Sequence, residues 1–482
     1  MPALTLWQGS RRREIPFEVG ACLGDVLRQH VPGHAHPCGG RGVCGKCQVV
    51  LRGQEHPVLS CQTYLTDQDA EVFLPETLSI AQVAMTGESV NARGAVSSVG
   101  TAVDIGTTTV VLALYDLDTG SCLAEKAMLN PQTSIAADVI GRMEAAMKGD
   151  LALEQQLILS AIDMLEEAAC RDAGVDRDLV QSRVITGNTT MLYLLTGRNP
   201  VSLSKAPFEA DTLFDQDIPW KNGSAYLPGC MNAFVGADIT CAVLESGMCE
   251  RSDTSLLCDL GTNGELALWK DGKLYVTSTA AGPVFEGACI SCGVNSIPGA
   301  IDRVWTEDGE VCIHAIGQQE PVGLCGSGLM DAIAALLKIE ELDETGALET
   351  DPYPLAEGVA LTQADIRAVQ LAKAAIYAGM VTLLKAAQCK PEDVRQFYVA
   401  GGFGSHASME SAAKIGMIPD SLAEKAEVLG NAALRGAVKL LVTPDTREKA
   451  QAIAAASVHV TLGGNAGFND AYIEAMMFPE QE

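Results

Sequence analysis

Four cysteines near the start of the chain have the spacing of ligands for an iron-sulfur centre. Cys38, Cys44, Cys47 and Cys61 follow the order C-x5-C-x2-C-x13-C, and the first three fall within the segment CGGRGVCGKC. The glycines of this segment allow the backbone to fold tightly around a small object and to point its N–H groups at sulfur. We therefore expect these four cysteines to hold one 2Fe-2S cluster.

A zinc site and unligated thiols are the alternatives for these cysteines. Structural zinc usually takes two C-x2-C pairs that close a tetrahedron, whereas this segment has one such pair and two isolated cysteines. Plant-type ferredoxins use C-x4-C-x2-C in a comparable loop. The first gap here is one residue longer, as in ferredoxins of the adrenodoxin type. The cluster is therefore the favoured interpretation, and Cys22, outside the loop, is interpreted as a core residue.

Short strand and helix patterns surround the cysteines. Apolar residues alternate at 3–7 and at 14–19 with a polar turn between them, which predicts a hairpin. A short helix over 22–30 and strands at 47–51 and 71–74 follow. Together these elements resemble the β-grasp fold of ferredoxins. We assign residues 1–76 to a ferredoxin-like iron-sulfur domain of the α+β class.

Composition and charge limit the classes of protein to which the 482-residue chain can belong. Apolar residues make up 48% and charged residues 20%, which is ordinary for globular domains, and the length predicts two or three of them. The formal net charge is −28, yet residues 1–98 carry 8 Lys or Arg against 9 Asp or Glu. The charge of the remainder argues against a nucleic acid partner.

The sequence shows no sign of secretion or membrane insertion. No basic and then apolar segment precedes a cleavage site, and no run of 18 apolar residues occurs. Sixteen cysteines in such a chain favour reduced thiols or metal ligands over a disulfide framework. We expect a soluble, cytoplasmic protein with no membrane partner.

Strand and helix patterns alternate through most of the remaining sequence. Residues 77–99 are rich in small residues without clear periodicity and are interpreted as a linker. Residues 151–173 have the pattern of a helix that Gly174 would end, and Thr362 with Asp365 forms a capping box for a helix that runs towards Gln388. This alternation predicts an α/β body over residues 100–482.

One acidic hairpin pattern occurs twice in this body. Asp104 to Thr109 reads DIGTTT, and Asp259 to Gly264, 155 residues later, reads DLGTNG. Each copy lies between two short apolar strands. In such a turn the glycine lets the main chain approach a phosphate, the threonine hydroxyls donate hydrogen bonds, and the aspartate can hold Mg²⁺ directly or through water. One copy alone is weak evidence, because many strand ends carry an acidic turn, whereas two copies that face each other across a cleft are much stronger evidence for a phosphate site.

A third glycine-rich segment, YVAGGFGSH at 398–406, follows an apolar strand. Gly401, Gly402 and Gly404 would let a nucleoside lie against bare backbone. Taken alone, the segment is equally typical of a tight strand-to-helix turn. The sequence contains neither the phosphate-binding loop G-x-x-x-x-G-K-[ST] nor a G-x-G-x-x-G that opens a helix with the expected acidic residue downstream.

These three segments give residues 100–482 a resemblance to the actin, sugar kinase and Hsp70 ATPase superfamily. In that fold two similar α/β lobes clamp ATP and Mg²⁺. The resemblance makes Asp104–Thr109 the first phosphate segment, Asp259–Gly264 the second and Gly401–Gly404 the adenosine segment. Residues 236–238 and 430–436 would form the two connections between the lobes.

The resemblance also implies roles for individual residues. Asp104 and Asp259 would hold Mg²⁺ and orient the attacking water, and Glu286 is either a further base or a buried acid satisfied by neighbouring backbone. Asp238 is equally open, and Asn188 is left outside the chemistry. Cys289 and Cys292 are interpreted as structural thiols, and His406 as a surface or cap residue. Phosphate and nucleoside contacts are expected from Gly106, Thr107, Thr108, Gly261, Thr262, Asn263, Gly401, Gly402 and Gly404.

Over nearly its whole length the chain resembles the reductive activators of corrinoid proteins. The segments ITGNTTM, AAGPVFEGACISCG, GLCGSGLMDAI and QLAKAAIYAG are similar to segments of that family. Longer members carry a further domain between the ferredoxin and ATPase parts, for which the linker here leaves no room. The resemblance implies ATP-dependent transfer of one electron from a low-potential ferredoxin or flavodoxin to a corrinoid protein, which returns inactive cobalt(+2) to cobalt(+1). A homodimer is possible.

Two other functions fit the same parts. One is an ATP-driven electron injector for another metalloenzyme, as in the activators of radical dehydratases, although those hold a four-iron cluster between subunits. The other is a redox sensor whose cluster regulates an ATPase without onward electron delivery. A sugar or acid kinase fits least, because a ferredoxin domain has no task there.

Overall fold

The computed structural model describes residues 2–8, 11–31, 34, 38–43, 47–52, 58–74, 97–287, 289–401 and 408–480. The N-terminal domain is a five-stranded sheet in the order β2-β1-β5-β3-β4, with one helix packed on it. Its core includes Leu4, Leu27 and Val72. The elements are β1 (Ala3–Gln8), β2 (Arg11–Pro16), α1 (Leu23–His30), β3 (Gln48–Leu51), β4 (Val58–Leu59) and β5 (Ala70–Leu74).

The predicted ferredoxin-like domain is confirmed, with two corrections. The second strand is Arg11–Pro16 rather than 14–19, because the antiparallel register already pairs Gln8 with Arg11. Cys22 is not a core residue: it is half-buried at the N-cap of α1, where its thiol donates to the Ser60 carbonyl at 3.5 Å. Most of the predicted linker, 77–96, lies outside the described residues.

The first lobe of the body is a six-stranded sheet in the order β10-β11-β9-β6-β7-β8, with α3 and α4 packed in its core. Its elements are β6 (Val99–Ile105), β7 (Thr109–Asp116), β8 (Ser121–Leu129), α2 (Val139–Ala145), α3 (Leu151–Ala173), β9 (Val180–Gly187), α4 (Thr189–Leu195), α5 (Val201–Ser204), β10 (Gln216–Pro219), β11 (Ser224–Leu227) and α6 (Ala237–Ser246).

The second lobe is a six-stranded sheet in the order β21-β20-β12-β13-β14-β22, with two smaller sheets beside it. Its elements are β12 (Ser255–Leu260), β13 (Gly264–Lys270), β14 (Lys273–Thr279), β15 (Ala300–Glu307), β16 (Glu310–Ala315), β17 (Gly323–Leu324), α7 (Gly326–Lys338), β18 (Tyr353–Ala356), β19 (Val359–Leu361), α8 (Gln363–Ala386), β20 (Gln396–Ala400), α9 (Met409–Lys414), α10 (Asp420–Ala423), β21 (Ala426–Gly430), α11 (Ala432–Val442), α12 (Thr446–Ala455), β22 (Ser457–His459) and α13 (Ala466–Glu474).

The two large sheets are built around the same unit. In each, a hairpin of two antiparallel strands, β6–β7 or β12–β13, pairs on its first strand with a parallel neighbour, β9 or β20. Asp104 and Asp259 lie near the ends of β6 and β12, directly before the turns. The repeated sequence pattern therefore corresponds to a repeated structure, and the predicted two-lobed architecture is confirmed.

The two long helices have the ends that the sequence predicts. Gly174 follows α3 with φ of +67°, and a capping box between Thr362 and Asp365 opens α8. Among the described residues, α8 is the one helix long and apolar enough to resemble a membrane span, but 72% of its most apolar window is buried inside the fold. Packing in the core of the second lobe accounts for its composition.

Two helices each follow the sheet of one lobe and pack against the sheet of the other. α6 leaves the first sheet, yet its Ile239 and Val243 belong to the same core cluster as Leu257 of the second sheet. α11 leaves the second sheet, yet its Leu434 clusters with Ala102 of the first. The two helices therefore connect the lobes, at the two positions where the sequence places the interlobe connections.

α6 and α11 cross at Gly436, and a methyl group added there would lie 2.0 Å from the backbone oxygen of Cys241. We expect Gly436→Ala to lower the free energy of unfolding by about 1–3 kcal/mol, since the helix backbones must move apart. Urea unfolding followed by circular dichroism measures this. Gly463→Ala, where nothing lies within 4 Å, is the control. Equal stability of the two variants would contradict a tight crossing.

Candidate functional site

The two acidic hairpins line one cavity of about 540 Å³ between the lobes, here called the cleft. Gly401, at the end of β20, also reaches it, and a Cβ at this position would lie 2.8 Å from a carboxylate oxygen of Asp259. Gly402 and Gly404 lie outside the described residues. The other predicted residues all line the cleft: Asp104, Gly106, Thr107, Thr108, Asp259, Gly261, Thr262, Asn263 and Glu286.

Two asparagines at helix N-caps hold the first hairpin. Asn431 accepts a hydrogen bond from the Leu434 N–H at the start of α11 and donates its amide to Asp104 Oδ2 at 3.0 Å. Asn188 caps α4 and donates to Thr107 Oγ1 at 3.3 Å. Sequence reasoning left Asn188 outside the chemistry and missed Asn431. The available signal was a Gly-Asn pair before each helix, which is typical of a cap.

A buried arginine supports the same hairpin from below. Arg142 is fully buried in α2, and its Nη2 donates to the Thr107 carbonyl at 2.5 Å. Its Nε donates to the Ala136 carbonyl at 3.1 Å. Burial lowers the pKa of the guanidinium to about 10, so it stays charged at neutral pH. Nothing in the sequence distinguishes Arg142 from a surface arginine, and it was not predicted.

Glu286 joins the two hairpins across the cleft. Its Oε2 accepts from the Thr108 hydroxyl of the first lobe, and its Oε1 accepts from the Thr262 hydroxyl of the second lobe at 2.8 Å. The alternative of a buried acid satisfied by neighbouring backbone is wrong, because these partners are side chains 178 and 24 residues away. The carboxylate therefore accepts hydrogen bonds from the two threonine hydroxyls that the sequence analysis expects to donate to phosphate.

Carboxylates accumulate at the floor of the cleft. Burial first, opposed by the Asn431 hydrogen bond, raises the pKa of Asp104 to about 6. Burial and then repulsion from neighbouring carboxylates raise the pKa of Asp259 to about 7 and of Asp238 to about 8, and that of Glu265 well above its ordinary value. Asp238, for which sequence reasoning left both roles open, thus belongs to this group.

The cleft lining contains no Lys, Arg or His among the described residues. Positive charge for a bound phosphate would therefore have to come from a cation and from backbone dipoles. Within the described ranges, no three His, Cys, Asp or Glu side chains form a ready-made metal site. This donor set fits Mg²⁺, which commonly binds one or two carboxylates and completes its shell with water and phosphate oxygens.

The described part of the cysteine loop fits a small sulfur-ligated cluster. Cys38, Cys47 and Cys61 are buried, while Cys44 lies outside the described residues. Burial, followed by the neighbouring Cys47 thiol, raises the pKa of the Cys61 thiol to about 11. Gly39, Gly40 and Gly42 have φ of +64°, +79° and +74°, the left-handed backbone that lets such a loop curl.

The interpretation of the second cysteine pair as structural thiols holds for Cys292, which is half-buried and packs against the core of the second lobe. It is wrong for Cys289, which is exposed and has φ of +63°. Exposure removes Cys289 from any packing role, because a structural thiol contributes by burial. His406 lies outside the described residues.

Fold and site together define an iron-sulfur protein with an actin-like, two-lobed ATP-binding body. Three family models match the chain: the 2Fe-2S iron-sulfur cluster binding domain at 7–71, the RACo middle region at 99–251, and the C-terminal domain of RACo, the ASKHA domain, at 253–482. The chain belongs to the family of reductive activators of corrinoid proteins.

Two curated relatives and one solved structure extend along most of the chain. The corrinoid activation enzyme RamQ of Eubacterium limosum is 34% identical over 418 residues, covering 79% of this chain and 70% of that protein. The [Co(II) methylated amine-specific corrinoid protein] reductase of Methanosarcina barkeri is 25% identical, covering 78% and 76%. The structure of a reductive activator for corrinoid,iron-sulfur protein superposes with a TM-score of 0.74 at 25% identity, covering 99% and 98%.

The carboxylates of the cleft predict a pH-dependent stability. Folding raises the pKa of Asp238 from 3.8 to about 8, so the folded state binds the proton more tightly and is increasingly destabilised as pH rises through this range. Asp238→Asn removes the penalty. We expect its urea midpoint, relative to that of the unmodified protein, to be higher at pH 8.5 than at pH 5.5 without divalent cations.

Asp470→Asn provides the control for this comparison, because Asp470 is exposed. Its difference from the unmodified protein should be the same at both pH values. A stabilisation by Asp238→Asn that does not grow with pH would contradict a proton held at this carboxylate.

Proposed function

We propose that the chain carries out ATP-dependent reductive activation of a corrinoid protein. It would pass one electron from a low-potential ferredoxin or flavodoxin through its 2Fe-2S cluster to inactive cobalt(+2) and restore cobalt(+1). The observation that carries the proposal is that one chain contains three buried cysteines of an iron-sulfur motif and a cleft lined by two acidic hairpins. Relatives named as a corrinoid activation enzyme and a Co(II) corrinoid protein reductase support it.

The residues of the cleft have distinct tasks in this proposal. Asp104 and Asp259 would hold Mg²⁺ through their carboxylates, and the cation would supply the positive charge that the lining lacks. Asn431 keeps Asp104 oriented. The threonine hydroxyls donate to phosphate oxygens, and Glu286 accepts a proton from the attacking water once nucleotide has displaced it from Thr108 and Thr262.

Nucleotide is needed because the electron must move uphill. For transfer of one electron, every 59 mV by which the reduction potential of the donor exceeds that of the acceptor lowers the equilibrium constant tenfold. A nucleotide-linked change of about 5.5 kcal/mol in binding free energy inverts a 1:99 ratio of two conformational states. The same free energy offsets a difference of about 240 mV in one-electron reduction potential. ATP binding and hydrolysis between the lobes would thus switch the corrinoid partner between states that accept the electron poorly and well.

The remaining parts of the proposal concern organisation. We place the ferredoxin-like domain at 1–76, the linker at 77–99 and the ATPase domain at 100–482, in a cytoplasmic protein that can form a homodimer. The matched segments at 7–71, 99–251 and 253–482 are compatible with these boundaries.

The activation assay tests the function directly. A corrinoid protein in the cobalt(+2) state is mixed with the protein and a low-potential reductant, with and without ATP, and cobalt(+1) is followed by its absorbance. We expect cobalt(+1) to accumulate with ATP, and Asp259→Asn to abolish the ATP-dependent part. Cobalt(+1) formation that is independent of ATP would contradict the proposal.

Cys47→Ser should separate the two halves of the activity. Cys47 is buried against Cys61, so its loss removes a cluster ligand without touching the cleft. We expect electron delivery to cobalt to disappear while ATP turnover stays within about twofold. Cys22→Ser is the matched control, because Cys22 lies outside the cysteine loop and should retain both activities. Equal loss of ATP turnover in Cys47→Ser would refute the division of labour.

Glu286→Gln tests the carboxylate between the hairpins. The amide keeps the shape but removes a negative charge from the phosphate site and weakens the competition for Thr108 and Thr262. We expect ATP to bind several-fold tighter, by calorimetry, while its hydrolysis slows by about 10²-fold, as on loss of a general base. Asp302→Asn removes a carboxylate from the same cleft and is the control. Weaker binding with unchanged turnover would contradict this role.

A further inference from the structure

We propose that Gln62 is a positioning residue that clamps the cysteine loop and raises the reduction potential of the cluster. Gln62 directly follows Cys61 in a short 3-10 helix, Ser60–Gln62. Its side-chain Nε2 donates to the Gly40 carbonyl at 2.5 Å and to the Cys61 carbonyl at 3.1 Å, and it lies 3.9 Å from the Cys61 sulfur. One side chain therefore connects a ligand sulfur with the loop on the other side of the site.

The loop is shaped to receive this side chain. Gly42 has φ of +74°, and a Cβ there would lie 2.9 Å from Cγ and 3.2 Å from Cδ of Gln62. The glutamine stem thus lies directly on bare backbone. Arg41, by contrast, donates its Nε to the Cys38 carbonyl at 2.8 Å, so this bond fixes the loop without reaching a sulfur.

Hydrogen bonds to ligand sulfur raise the potential of an iron-sulfur cluster, because they stabilise the additional negative charge of the reduced state. The Gln62 amide is such a donor, with 3.9 Å between its Nε2 and the sulfur of Cys61. The inference rests on the cluster of the proposed function. It adds that the side chain of Gln62 decides how readily the cluster accepts an electron from its donor.

Potentiometric titration of the full chain with its cluster, followed by visible absorbance and electron paramagnetic resonance, tests the role. In Gln62→Leu we expect one-electron reduction to become about tenfold less favourable, which lowers the midpoint potential by 59 mV. Gln62→Glu has the same length but an ionised carboxylate that cannot donate, and its midpoint should fall at least as far. The resonance of the reduced cluster should shift in both variants.

Gln68→Leu is the matched control, since Gln68 is exposed on the same segment and its backbone N–H, at 3.5 Å from Thr66 Oγ1, stays in place. Its midpoint should equal that of the unmodified protein.

Unaltered midpoints in both Gln62 variants would overturn the inference. So would loss of the cluster from both, because Gln62 would then serve assembly rather than tuning. If the unmodified chain shows no 2Fe-2S signal, both the role of Gln62 and the proposed function are overturned. If the Gln62 variants shift the midpoint but the protein forms no cobalt(+1), only the proposed function is overturned.

Discussion

The crossing of α6 and α11 is the constraint on which the arrangement of the cleft depends. Each helix packs on the sheet of the opposite lobe, and the two backbones touch at Gly436 and Cys241. Asp238 lies in the first turn of α6, and Asn431 caps α11. Any rotation of one lobe against the other must therefore move these two helices, whose N-terminal residues line the cleft. Lobe motion and the orientation of Asp104 are mechanically linked.

The same geometry explains how an acidic cleft can hold an anion. The starts of α6, α7 and α11 all contribute lining residues, represented by Asp238, Ser327 and Asn431. Helix N-termini carry partial positive charge and free N–H groups. Their attraction is modest, and it acts on a site where burial raises the pKa of Asp104, and where burial and then repulsion from neighbouring carboxylates raise the pKa of Asp259. A phosphate and a divalent cation are consequently more favourable together than either is alone.

The limits of sequence reasoning follow from the range of each interaction. The hairpins, the end of α3 at Gly174 and the capping box of α8 depend on neighbours within a few positions, and their patterns predict them. The bond between Asn431 and Asp104 joins residues 327 apart, and that between Thr108 and Glu286 joins residues 178 apart. Such contacts exist only after the lobes have packed. For that reason the hairpin residues that line the cleft were predicted as a set, whereas the residues that orient them were not.

Glu286 gives nucleotide a means of acting on the lobes. In the arrangement described here its carboxylate joins the two hairpins through Thr108 and Thr262. A phosphate that takes these hydroxyls replaces one interlobe contact by another of different length and charge. Ligands shift a conformational equilibrium only by their differential affinity for its states, and this exchange supplies such a difference where the lobes meet. On the proposed function, the energy of ATP would then reach the corrinoid partner through lobe movement, without any change in the cluster that carries the electron.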